Sequence, residues 1–136
     1  GYEFDASVFP TWRPGHFDNT DKPRTPQYLP EFDLYEIPFT VYASWLPIPT
    51  ALSFCRVFGR PYTELLVRRP PPVVVFNIHM HDLVTPPTVR NLPRKYRAVY
   101  SRNDRGFEML ASVLERLQQR GYQFGHIDDV HDTLRE

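Results

Sequence analysis

The sequence predicts an α/β fold with parallel strands, and three observations predict it. Residues 73–80, "VVVFNIHM", are apolar at nearly every position, as suits a strand covered on both faces by helices. Residues 105–120 place Phe107, Leu110, Ala111, Leu114 and Leu117 at helical spacing, with Glu108, Glu115, Arg116, Gln118 and Gln119 elsewhere and Gly121 in position to end the helix. Behind it "YQFGHI" (122–127) reads as a further strand, and Asp128 or Asp129 can cap a last helix. The second half of the chain therefore runs strand, helix, strand, helix, the order of a parallel sheet with helical crossovers.

The first half is organised differently. "YEFDASVF" (2–9) alternates Tyr2, Phe4, Ala6 and Val8 with Glu3, Asp5 and Ser7, the period of a half-buried strand. Residues 10–31 carry Pro10, Pro14, Pro23, Pro26 and Pro30 and read as a long surface loop. "FDLYEIPFTVY" (32–42) is a second strand, which Pro38 pushes toward a sheet edge by removing a ladder donor. Two short helices follow over 50–58 and 62–68, broken at Gly59 and Pro61 and stopped by the prolines at 70–72. Residues 81–104 form a second proline-containing loop rich in arginine. The chain enters its first strand directly after Gly1, which leads to the expectation of a piece cut from something longer.

Composition narrows the function classes. The 136 residues, 41% apolar and 15% aromatic, suffice for one domain with a core. Sixteen basic residues balance sixteen acidic ones, and no run of like charges offers itself to phosphates or anionic lipid, so neither nucleic acid nor a membrane surface is an expected partner. No apolar run approaches the roughly 20 residues of a membrane span. The lone Cys55 rules out an intrachain disulfide and a cysteine-based zinc cluster. The compartment stays open, with a cytoplasmic setting slightly favoured.

The densest chemistry is "IHMHDL". On a strand, His79 and His81 would project from one face at its C-terminal end, the end at which α/β active sites form. Three readings stand side by side: a pair of metal ligands, an acid/base residue with a helper, and two polar side chains that hydrogen-bond at a strand end. His126 and His131 fall on divergent faces and read as surface residues, and His16 has no partner nearby in sequence. Ser7, Ser44, Ser53, Ser101 and Ser112 lack the Gly-x-Ser-x-Gly elbow of a serine nucleophile, Cys55 lies in an apolar segment, and the six glycines form no phosphate-cradling loop. Trp45, with Trp12 and Tyr42, reads either as a sugar-stacking platform or, as aromatics in a chain with 20 of them more often are, as core.

Taken in order, five segments resemble the polysaccharide deacetylases of the NodB-homology type. "GYEFDASVFP" is similar to their GY-x-YDSSVFP stretch, "LYEIPFTV" to an L-x-E-x-P strand, "LPIPTALSFCR" to an LP…GG-x-x-x-R segment and "FNIHMHDL" to Y-x-HP-W-x-x-D/L; residues 103–130 resemble the closing helix, strand and helix. The resemblance covers nearly the whole chain. It implies that residues 1–136 are the C-terminal half of a single catalytic domain built as a distorted (β/α) barrel. It also implies an enzyme that removes acetyl groups from N-acetylated sugars or polysaccharide. In that family a divalent metal, zinc by expectation, is held by an Asp and two His, and a second Asp acts as base.

Those ligands belong to the part preceding the family's Gly-Tyr. The resemblance therefore implies a metal bound outside this chain, an N-terminal half as partner, and no metal ligand among these residues. Within the chain it implies that His79 is the general acid, with His81 the alternative in a shifted alignment, and that Asp82 steadies the imidazole. Trp45, Arg56 and Asp5 are the expected substrate-pocket residues. Met80 stands where the family has proline, and Thr50, Ala51 and Leu52 stand where it has glycines before the arginine. The alternative is a non-catalytic carbohydrate-binding or assembly module of the same fold.

Overall fold

The computed structural model describes all residues but Pro14, 44–46, 98, 99 and 101, together with the side chain of Lys95. The described residues form a mixed α/β structure in two units: Gly1–Thr50 with Pro70–Phe76 and Gln123–Glu136, and Ala51–Arg69 with Asn77–Tyr122.

In the first unit, β1 (Phe4–Asp5) pairs in parallel with β5 (Leu34–Glu36), Phe4 opposite Tyr35 and Asp5 opposite Glu36. This pairing is parallel, but the expectation of parallel strands came from 73–80 and 122–127 and not from these two, and both are far shorter than the alternation over 2–9 and 32–42 predicts. One reason lies in the donors. The Val8 amide bonds to the Glu36 carboxylate at 3.2 Å instead of a backbone carbonyl, and Pro10 and Pro38 have no amide to offer.

The expected loop at 10–31 holds three more short strands. β2 (Trp12–Arg13) and β3 (Phe17–Asp18) make an antiparallel hairpin, and β4 (Gln27–Leu29) adds antiparallel to β5, giving the sheet order β1-β5-β4. The prolines permit this because Pro26 and Pro30 flank β4 and do not interrupt it. The described strands do not close into a barrel.

The expected strand at 122–127 is absent among the described residues; Ile127 already begins a helix, α6 (Ile127–Arg135). Asp129 ends the extended run by taking the His126 amide at 2.7 Å, so a cap replaces a ladder bond. His126 is exposed as expected, but His131 is not a surface residue. It is 2% exposed, packed 5.5 Å from the Phe4 ring and edge-on to Tyr35 at 5.3 Å. The helical face that carries it is the one turned to the sheet.

Glu36 is 2% exposed beside Asp5. Burial pushes its carboxyl up to about 7, the Val8 amide opposes this, and the neighbouring Asp5 adds to it. A folded-state pKa above the unfolded value means that the stabilising contribution is full below about 4.5 and is lost as pH rises through about 7. Glu36→Gln keeps an oxygen for Val8 and gives Asp5 an N–H donor. It is expected to match the wild type in urea at pH 4 and exceed it at pH 8, by at most about 3 kcal/mol. Equal wild-type stability at both pH values would contradict the placement of Glu36.

In the second unit, α1 (Leu52–Phe58) and α2 (Arg60–Leu66) are joined at Gly59, whose φ of 73° lies in the left-handed region. Pro61 does not break the second helix; it sits in the first turn of α2, where a missing amide costs nothing. α5 (Gly106–Gln118) is the helix the periodicity predicts. It buries Val113 and Leu117 and is followed by Gly121 at φ 88°, though Phe107 of the expected apolar stripe is 66% exposed. Leu52, Cys55, Tyr62, Leu66 and Val67 complete this core.

The expected loop at 81–104 is largely helical turns: α3 (Met80–Leu83), a 3-10 turn over Pro87–Asn91, α4 (Arg94–Arg97) and the start of a further 3-10 turn, Asn103–Arg105. The strand expected at 73–80 is also corrected. Residues 73–77 are half-buried and extended, with one parallel bridge from Asn77 to Ala51, and Ile78 to Met80 are exposed. The Val75 amide bonds to the Thr40 hydroxyl at 2.8 Å, and the His79 amide to the Asp82 carboxylate at 2.8 Å. Donors that a central strand needs for its neighbour go to side chains. No described helix is long and apolar enough to cross a membrane.

Candidate functional site

Four of the six residues singled out in the sequence converge in the second unit. His79 closes the extended segment with φ −113° and ψ 154°, and α3 begins at the next residue because Asp82, in its first turn, caps the His79 amide. The histidines therefore meet through a strand-to-helix turn and not across the face of a strand. Their rings stack at 5.0 Å with 19° between planes, and the Tyr100 ring lies 5.9 Å from His81.

Asp82 is the hub. Its side chain and that of Arg56 both have no exposed surface, and Arg56 Nη2 donates to Oδ1 at 2.6 Å, with Nε at 3.2 Å. Ser53 Oγ donates to the same oxygen at 2.5 Å, while Oδ2 takes the His79 amide. Burial pushes the Asp82 carboxyl up, but the Ser53 hydroxyl, the His79 amide and Arg56 more than offset it, so the group titrates below the ordinary aspartate range. It is a carboxylate at any pH near neutrality.

Asn103 fixes the other end of the arginine. Its Oδ1 accepts from Arg56 Nη1, and its Nδ2 donates to the carbonyls of His81 at 2.6 Å and Val84 at 3.1 Å. The next residue back, Arg102, donates from Nη1 to the Arg56 carbonyl at 3.1 Å. One arginine thus couples α1, α3 and the segment leading into α5. Arg56, expected in a substrate pocket, is enclosed instead, holding the carboxylate.

His81 stands at the boundary of this cluster, its side chain 33% exposed. Nε2 lies 3.4 Å from Ser53 Oγ and 3.8 Å from Asp82 Oδ1. Burial lowers its pKa below the ordinary histidine value, Asp82 opposes the change, and His79 and Arg56 reinforce it. The shift favours the neutral imidazole. His79 is exposed; Asp82 contacts it through its backbone amide.

The remaining expectations distribute as follows. Asp5 belongs to the first unit, where it pairs with Glu36 and accepts from Ser7 Oγ at 2.6 Å. Trp45 lies outside the described residues. Cys55 is buried, and burial pushes its thiol up to about 11, which leaves no thiolate for nucleophilic work. Among the described residues no three His, Cys, Asp or Glu side chains group closely enough to hold a metal. The two histidines fall short of the three protein ligands of a catalytic zinc site, and the metal that the resemblance implies has its ligands outside this chain.

Ser53 and Asn103 are the residues that sequence reasoning missed as parts of the site. The spacing of Ser53 and Arg56, three apart on one helix, puts both on one face, which is a readable signal. Asn103 gives no such signal, since it stands 50 positions after Ser53, beyond any local pattern except that of a polar residue ahead of a helix. A pocket of about 250 Å³ lined by Val67, Arg116, Gln119 and Arg120 shares no residue with the cluster. No family model, curated protein or solved structure matches the chain.

Proposed function

We propose that this chain supplies the proton-carrying histidine of an amide hydrolase that removes acetyl groups from N-acetylated sugars, as the C-terminal half of a distorted (β/α) barrel. The observation that carries the reading is the oriented imidazole of His81. It is one-third exposed and lies 3.8 Å from a carboxylate whose own charge is held by a buried arginine. The parallel pairing of β1 with β5 supports the barrel reading. In the hydrolysis, water adds its oxygen to the acetyl carbon, the C–N bond breaks with its electron pair left on nitrogen, and protonated His81 delivers the proton that makes this nitrogen an amine. His79, stacked on it, is its neighbour and not the acid. The metal and the base, which takes the proton the attacking water gives up, belong to a complementary segment with an Asp-Asp strand end and a His-x-x-x-His pair.

The test is acetate release from N-acetylglucosamine oligomers by the chain joined to such a segment. His81→Ala is expected to lower kcat by about 10²- to 10⁴-fold. Full activity in the His79→Ala, His81→Ala double variant, or no acetate release from the unsubstituted protein, would overturn the reading.

A further inference from the structure

The Ser53 hydroxyl has one proton and two neighbours able to receive it. Asp82 Oδ1, 2.5 Å away, belongs to an ionised carboxylate and can only accept, so the hydroxyl donates there. The Ser53 oxygen is then an acceptor toward His81 Nε2 at 3.4 Å, and that contact needs a hydrogen on Nε2. Asp82 Oδ1, 3.8 Å from the same nitrogen, favours the same arrangement. Contacts with the His79 and Tyr100 rings restrict rotation of the imidazole. Among the described residues nothing bonds to Nδ1, which keeps its lone pair on a side chain that is one-third exposed.

We propose that Ser53 is a positioning residue that fixes the tautomer of His81, keeping Nε2–H turned to the carboxylate cluster and making Nδ1 the nitrogen that carries the proton. Position along α1 supports this assignment. Ser53 is three residues before Arg56, so one helix face delivers both the hydroxyl that reads the imidazole and the guanidinium that keeps Asp82 charged. A proton taken up at Nδ1 gives the imidazolium. Its delivery from Nδ1 to the leaving amine returns the ring to the same neutral tautomer, with no rearrangement inside the cluster. The inference deepens the proposed function and rests on His81 as proton carrier, but the tautomer can be read without any activity.

The experiment is a long-range ¹H–¹⁵N correlation of the histidine rings in the ¹⁵N-labelled chain, at a pH where His81 is neutral, with His81→Ala identifying its signals. Wild-type His81 is expected as the Nε2–H tautomer, Ser53→Ala as a mixture with Nδ1–H comparably populated, and Ser53→Thr as the wild type. A predominantly Nδ1–H wild type, or a Ser53→Ala spectrum unchanged from wild type, overturns the proposal. Should the alanine variant fail to fold, the wild-type spectrum decides alone. In the acetate assay of the joined protein, Ser53→Ala is expected to lower kcat about tenfold with KM unchanged, and Ser53→Thr to restore it. Absent acetate release beside the expected tautomer removes only the functional reading; activity that depends on His81 beside the opposite tautomer removes only the role of Ser53.

Discussion

Replacing Asp82 by Ala is expected to destabilise the second unit by about 3–5 kcal/mol, because it takes the carboxylate away from a buried guanidinium. Arg56 has no exposed surface, and the pair meets at 2.6 Å, so water cannot replace the lost carboxylate without opening the core between α1 and α3. Three further donors lose their acceptor at once: the Ser53 hydroxyl, the His79 amide and Arg56 Nε. Arg56→Ala should cost a similar amount for the converse reason, a buried carboxylate left with a hydroxyl and an amide. The Arg56→Met, Asp82→Leu double variant is expected to be more stable than either alanine variant, since the desolvation of both charges disappears together. Hydrogen exchange at Val113 and Leu117, both in the core of this unit, reads the effect locally. A loss under about 1 kcal/mol in either alanine variant would mean that the pair is solvated. The same carboxylate sets an acid limit. Its pKa is depressed by folding, so its contribution is present above the ordinary aspartate value and is lost as pH falls through the folded one.

How far the sequence shows these features depends on whether their cause is local. The helix at 106–118 is legible because its periodicity and its closing glycine lie within one window. The run "VVVFNIHM" misleads for the opposite reason. Its apolar residues suit a strand, but whether a strand forms depends on who receives its amides, and these go to Thr40 and Asp82, 35 residues upstream and three downstream. His131 shows the same limit: five residues from His126 it should diverge, and it does, but nothing in the spacing says which of the two turns to a sheet. At the site, the histidines and Asp82 are visible as a motif, while the buried state of Arg56, which changes it from a substrate ligand into a clamp, is a tertiary fact. Asn103 is invisible for the same reason, as its partners are two carbonyls and a guanidinium brought in by other elements.

Gly106→Ala is expected to cost about 2–3 kcal/mol where an exposed helical position would gain from the same change. The backbone of Gly106 is ordinary helix, φ −56° and ψ −48°, so no conformational demand selects glycine there. The demand is steric. A Cβ at this position would fall onto the carbonyl oxygen of Asp82 and come within 3.3 Å of Leu83 Cα, both backbone atoms that no rotamer change can move. Relief requires α3 and α5 to part, which draws Asp82 away from Arg56 and Ser53. The substitution should therefore change the His81 ring signals as well as the unfolding midpoint, although it touches neither histidine. Gly121→Ala provides the contrast. At φ 88° with nothing within 4 Å, it should cost about 1–2 kcal/mol through backbone strain alone and leave His81 unaltered. If Gly106→Ala instead stabilised the protein, α3 and α5 could not approach as closely as described, and the cluster that orients His81 would lose its backing.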